Sequence, residues 1–131
     1  MKNILCIGLD AAPEAGYAQL LTAAGYHVVT ASMSLDRVVS ALRSGEMSAN
    51  LVIVECHGLS RDENDRLWKL RKAAPDVPII MLADCLSVEF YLRALALGIA
   101  EYRCKPILDH EVMRTVEGVL HGGRFQQTPL L

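Results

Sequence analysis

Five short apolar segments recur along the chain, and they constrain its fold more than anything else in it. They are NILCIG (3–8), HVVTA (27–31), LVIVE (51–55), VPIIML (77–82) and IAEYRC (99–104). LVIVE and VPIIML do not alternate apolar with polar residues, as a strand with one wet face would. Near-continuous aliphatic runs of this length predict strands buried on both faces. Helix-patterned stretches lie between them. Pro13 suits the first turn of a helix over 13–24, Tyr17, Leu20 and Leu21 fall at helical spacing, and Gly25 stops it. Ser34 caps a helix to Arg43, with Leu35, Val38, Val39 and Leu42 on its inner face. A third helix spans 62–74 and ends before Pro75, with Leu67, Trp68 and Leu70 as apolar contacts, Trp68 being expected beside the core. SVEFYLRALALG (87–98) forms a fourth, closed by Gly98, and Asp109 caps a fifth that reaches about His121. Five alternations of this kind predict an α/β fold, a parallel sheet with helices on both faces. Such sheets carry their sites at the carboxyl ends of strands. The residues to inspect are therefore Gly8, Leu9 and Asp10, then Glu55, Cys56 and His57, then Ala83, Asp84 and Cys85, and finally Cys104 and Lys105.

Composition narrows the class of function. The 131 residues suit one domain, and 52% hydrophobic content is ample for a core. A net charge of −2 offers no basic field for nucleic acid. No apolar run reaches the ~18 residues of a membrane span, and MKNILCIGLD is too short and strand-like for a signal peptide, so a cytoplasmic protein with no membrane partner is expected. The four cysteines, Cys6, Cys56, Cys85 and Cys104, form no CxxC pair and are expected as reduced thiols. GLDAAPEAG (8–16) does not match a dinucleotide fingerprint, and no nucleophile elbow is present.

RALALGIAEYRCKP (93–106) is similar to the fourth helix, fifth strand and Lys-Pro segment of the receiver domain of bacterial two-component response regulators, and GYHVVTA (25–31) is a second match. The resemblance covers residues 2 to about 120, with an insertion of about two residues near 45–49 that a loop tolerates. It implies a five-stranded parallel sheet of flavodoxin-like order 2-1-3-4-5, a receiver-like domain over 1–121, and a flexible tail over 122–131. It also implies a five-part site. Two acids after the first strand hold Mg²⁺, an Asp after the third accepts a phosphoryl group, a Thr or Ser after the fourth bonds that group, and a Lys after the fifth pairs with it. Here those positions are Gly8 and Leu9, Glu55, Ala83 and Lys105. Only the lysine is retained, followed by Pro106, and Asp10 is the one acid left after the first strand.

Each replacement has a chemical consequence. Mg²⁺ requires near-octahedral oxygen ligands, which Gly8 and Leu9 do not supply and Asp10 alone does not replace. Without the metal, charge on a transferring phosphoryl group is uncompensated. Glu55 places its carboxylate about one bond length, ~1.5 Å, beyond that of an Asp, and errors of ~1 Å can cost about 100-fold in rate. Ala83 donates no hydrogen bond. The resemblance thus implies a degenerate receiver, without enzymatic activity or a Mg²⁺ cofactor, acting through protein contacts.

Several readings stay open at this level. Glu55 with Lys105 is either a permanent imitation of the phosphorylated state or a pair that merely satisfies a buried carboxylate. An active receiver that recruits another acid, Asp10 or Asp84, is the first alternative. A metal- or small-molecule-binding domain is the second, with Cys56, His57 and Cys85 as its cluster, set against inert packing of the thiols. Tyr102 matches the family's aromatic switch position. The resemblance implies protein partners such as a histidine kinase or an effector domain, and a homodimer through the helix 4–strand 5–helix 5 face, with Phe90, Arg93, Tyr102, Met113 and Arg114 as candidates. Phe90 and Met113 could equally pack inward.

Overall fold

The computed structural model describes residues 2–9, 16–31, 34–56, 61–84 and 88–122. Five strands, β1 (Asn3–Gly8), β2 (His27–Ala31), β3 (Leu51–Cys56), β4 (Ile79–Ala83) and β5 (Glu101–Cys104), alternate with five helices, α1 (Gly16–Ala23), α2 (Leu35–Ser44), α3 (Arg61–Ala73), α4 (Val88–Ala96) and α5 (Asp109–Gly122). The sheet order is β2-β1-β3-β4-β5 and every pairing is parallel, as the alternation and the resemblance predict. Residues 10–15 and 123–131, which include the expected start of the first helix and most of the tail, lie outside the described residues.

β3 and β4 are buried along their whole lengths, which accounts for their unbroken apolar sequence. Strand periodicity then sorts the core into two layers. Ile4, Cys6, Leu51, Ile53, Ile80 and Leu82 face α1 and α5. Leu5, Ile7, Val52, Val54, Ile79 and Met81 face α2, α3 and α4.

Local chemistry sets the element ends. Ser34 caps α2 by accepting a hydrogen bond from the Arg37 amide at 3.4 Å. β4 begins at Ile79 rather than at 77, because Pro78 can accept from the Val52 amide but has no N–H to donate. β5 begins at Glu101 rather than at 99. The turn that leaves α4 uses Gly98, at φ 72°, and the Ile99 amide, which donates back to Ala94. The guanidinium of Arg71 fastens α3 to that turn, donating to the carbonyls of Leu97 at 3.0 Å and Val77 at 2.9 Å. Burial holds the Arg71 pKa below its usual value. Two packing expectations are corrected. Trp68 and Leu20, at 37% and 38% exposure, lie on the outer faces of their helices. The inner positions of α3 belong to Leu67 and Leu70, and those of α1 to Tyr17 and Leu21.

Candidate functional site

Glu55 stands at the end of the central strand, in register with Gly8 on one side and Leu82 on the other. It is the buried charged side chain among the described residues, at 5% exposure. Strand parity sets its direction. It follows Leu51 and Ile53, which face α1 and α5, so its carboxylate turns to the same layer. A carboxylate there needs a donor on each oxygen, since an ion left unpaired in a dry interior costs several kcal/mol. Two side chains meet that need. Lys105 Nζ lies 3.1 Å from Oε1, and the Tyr17 hydroxyl, from the first turn of α1, donates to Oε2. Lys105 follows β5 directly, and its amide donates to the Ala83 carbonyl at 2.7 Å, which extends the sheet ladder and aims the side chain along the end of β3. Its ammonium also lies 3.8 Å from Asp84 Oδ1.

These groups line a cleft of about 480 Å³, with Tyr17, Glu55, Asp84 and Lys105 on its polar side and Leu82, Pro106 and Ile107 on its apolar side. Cys6 lies beneath it. Burial, and then the nearby charge of Glu55, push the Cys6 thiol up to about 12, while a hydrogen bond with Tyr17 acts in the opposite direction. Cys6 is therefore an uncharged thiol at neutral pH.

Among the described residues, the β1 side of Glu55 brings no polar side chain. Gly8 has no side chain, and Leu9 leans into the layer of α2, α3 and α4. Gly8 and Leu9 offer no side-chain oxygen to the Mg²⁺ that the receiver resemblance implies. The carboxylates lining the cleft, Glu55 and Asp84, both lie within 4 Å of the Lys105 ammonium, and Glu55 also accepts from Tyr17. Ala83 is fully buried in the opposite layer and presents only a methyl group.

The other sequence candidates scatter. Asp10, His57 and Cys85 lie outside the described residues. Cys56 is buried in the α2–α4 layer, on the face of the sheet opposite Glu55, and Cys104 is exposed. Among the described residues no group of three or more His, Cys, Asp or Glu side chains is placed to hold a metal ion. Tyr102 is half-buried in the α4 layer, edge-on to Phe90 at 5.4 Å and Tyr91 at 5.9 Å. Phe90, a candidate for the interaction face, is corrected to a core residue at 5% exposure, because it points inward with Ala94 one turn on. Met113 packs against the α1–α5 layer. Arg93 and Arg114 are exposed, Arg93 pairing with Glu89 at 2.6 Å.

Two features escape sequence reasoning. Tyr17 reads as one more apolar helix contact, and only its burial beside a strand-end acid would have marked it. The second is the outer face of α4. Val88, Tyr91, Leu92 and Leu95 are 75%, 44%, 57% and 51% exposed. Their i, i+3, i+4, i+7 spacing is the signature of a core-facing stripe, yet a second stripe, Phe90, Ala94 and Leu97, already serves the core.

No protein-family model matches the sequence, and no curated protein matches it significantly. Solved structures do match. A CheY-like response regulator receiver domain protein of Methanospirillum hungatei JF-1 superposes with a TM-score of 0.77 at 22% identity, over 96% of this chain and 98% of the other. A protein described as pilus assembly-related, from Burkholderia pseudomallei K96243, gives 0.75 at 21% identity over 92% and 90%. A protein described as CpaE2, of pilus assembly, from Sinorhizobium meliloti 1021, gives 0.66 at 20% identity over 88% and 97%. The chain has the fold of response regulator receiver domains.

Proposed function

We propose that this chain is a signalling receiver module that works through protein–protein contact and takes no phosphoryl group at Glu55. The observation that carries the reading is that each oxygen of the buried Glu55 carboxylate already accepts from a side chain. Lys105 holds one carboxylate oxygen and Tyr17 the other, beside a Gly8–Leu9 edge without a metal ligand. Attack on a phosphodonor would require a carboxylate oxygen to give up its donor, with the Lys105 ammonium and no metal ligand from Gly8 or Leu9 to offset the incoming charge. Held in place, it is a permanent negative charge facing Lys105. The module is then a cytoplasmic, non-enzymatic one without a Mg²⁺ cofactor, and its partner class is a sensor kinase, an effector domain or a second copy of itself. The same fold occurs in proteins described as pilus assembly-related, so the fold alone does not commit a chain to phosphoryl relay.

The contact surface that fits best is the outer face of α4, and its best occupant is a second copy. The stripe runs from Val88 to Leu95 with Tyr91 and Leu92 at its middle, so it reads alike from either end. Glu89 and Arg93 sit together on one flank. A two-fold axis across the helix sets two such helices antiparallel, stripe on stripe, and brings the Glu89 of each copy beside the Arg93 of the other. A nine-residue helix covers less than the roughly 800 Å² per partner of a standard interface, so the dimer is a weak one. The phosphorylation reading is tested by incubating the full chain with acetyl phosphate and Mg²⁺ and recording intact mass. Unchanged mass supports it, and an adduct of one phosphoryl group on Glu55 overturns it.

A further inference from the structure

We propose that Tyr17 is a positioning residue that couples the Glu55 pocket to the α1–α5 face of the domain. The state of the pocket is then read on α1 and α5, and not on Tyr102 and α4. The inference rests on the reading above that Glu55 stays charged and unmodified.

Strand parity makes the first part of the case. Glu55, Leu82 and the cleft belong to the α1–α5 side of the sheet, whereas Ala83 and Tyr102 belong to the α4 side. At position 83 a methyl group replaces the hydroxyl that would carry a side-chain hydrogen bond across the sheet end. Tyr17 supplies a different route. It is 2% exposed and lies one residue inside α1, so the first turn of that helix cannot shift without breaking the hydroxyl's bond to Glu55. A buried tyrosine hydroxyl and a buried carboxylate each need the other, which makes the link expensive to open.

α1 is in turn fastened to α5 at both ends. Gly16 is pressed so close to Asp109 that a Cβ there would lie 3.0 Å from the carboxyl carbon. Past the other end of α1, the Tyr26 hydroxyl lies 3.3 Å from His121 Nε2. Leu21, Val112 and Val116 fill the space between, all fully buried. A displacement at the Tyr17 hydroxyl is therefore transmitted to the far end of α5 by packed, bonded elements.

Amide hydrogen exchange of the full chain, with no phosphodonor present, tests the coupling. Tyr17→Phe keeps the ring and removes the donor, while Glu55→Leu keeps Tyr17 and removes the acceptor. Tyr17→Phe is expected to speed exchange by about tenfold along α1 and α5, as far as Val116, the loss of one charge-assisted hydrogen bond, and Glu55→Leu, which also unpairs Lys105, by at least as much along the same two helices, with α4 unchanged within about twofold in both. Changes confined to the immediate neighbours of Tyr17 would show a merely structural bond and overturn the proposal. So would two variants that perturb different elements, or acceleration reaching α4 and Tyr102. A phosphoryl adduct on Glu55 in the mass experiment would sink the functional reading while leaving this coupling result standing.

Discussion

The end of β3 and the outer face of α4 are built on opposite plans. At the strand end, charged and polar groups that a reactive site would leave open to a ligand are closed on one another. Glu55 is held by Lys105 and Tyr17, and only 5% of it meets solvent. On α4, apolar groups that a helix ordinarily turns inward are displayed outward, with Val88 at 75% exposure and Leu92 at 57%. The difference teaches where the domain can act. A satisfied buried carboxylate has nothing to gain from an incoming anion, whereas exposed aliphatic surface gains about 25 cal/mol for each Å² that a partner covers. Charge is paired at one place and apolar surface is displayed at the other.

Removing Lys105 attacks the closed region hardest. Lys105→Met leaves a buried carboxylate without its cation and is expected to lower stability by about 3 kcal/mol or more, read from the urea midpoint. A loss under about 1 kcal/mol would show Glu55 solvated and the pocket open. The open region is tested by Leu92→Glu, which sets two charges against each other at the centre of the proposed antiparallel pair. Its dimer constant, measured by sedimentation equilibrium, should weaken by about 100-fold, nearly 3 kcal/mol. A wild-type chain that stays monomeric at millimolar concentration removes the second copy as the occupant of this face.

Smaller effects sharpen the contrast. Burial, with the Glu55 charge beside it, raises the folded-state pKa of Cys6 from an ordinary thiol value of 9.0 to about 12. The folded state therefore holds its proton where the unfolded chain has lost it. The stabilisation is complete below about pH 9 and is lost as pH rises toward 12. At pH 10 the loss is about 1 kcal/mol, and Cys6→Ala should remove that component of the alkaline slope. Smallest is Glu89→Gln on the rim of α4. The Glu89–Arg93 pair is exposed on a helix surface, so monomer stability should fall by only about 0.3–0.5 kcal/mol. A much larger fall would mean that the pair is part of the packing and not the flank of a free stripe.

What was legible in the sequence was whatever depends on neighbours along the chain. The aliphatic runs 51–55 and 77–82 announced strands buried on both faces, and their alternation with helical spacing announced a parallel sheet, now seen in the order β2-β1-β3-β4-β5. The carboxyl-end rule picked out Glu55 and Lys105 before any distance was known, and they stand 3.1 Å apart. The bareness of Gly8, Leu9 and Ala83 is a property of residue type alone. Tertiary structure decided the rest. Tyr17 and Glu55 are 38 residues apart, and no local pattern tells a tyrosine that fills a core from one that also closes a carboxylate. Phe90 and Leu92 are both apolar residues on one short helix, and sequence spacing does not say which side the sheet covers. The structure turns Phe90 to the core and Leu92 to solvent, because the angle at which α4 lies on the sheet is set by packing with distant elements. Local periodicity determined the elements and the strand ends. The facing of side chains, and with it the closed pocket and the open helix face, came only from how those elements pack together.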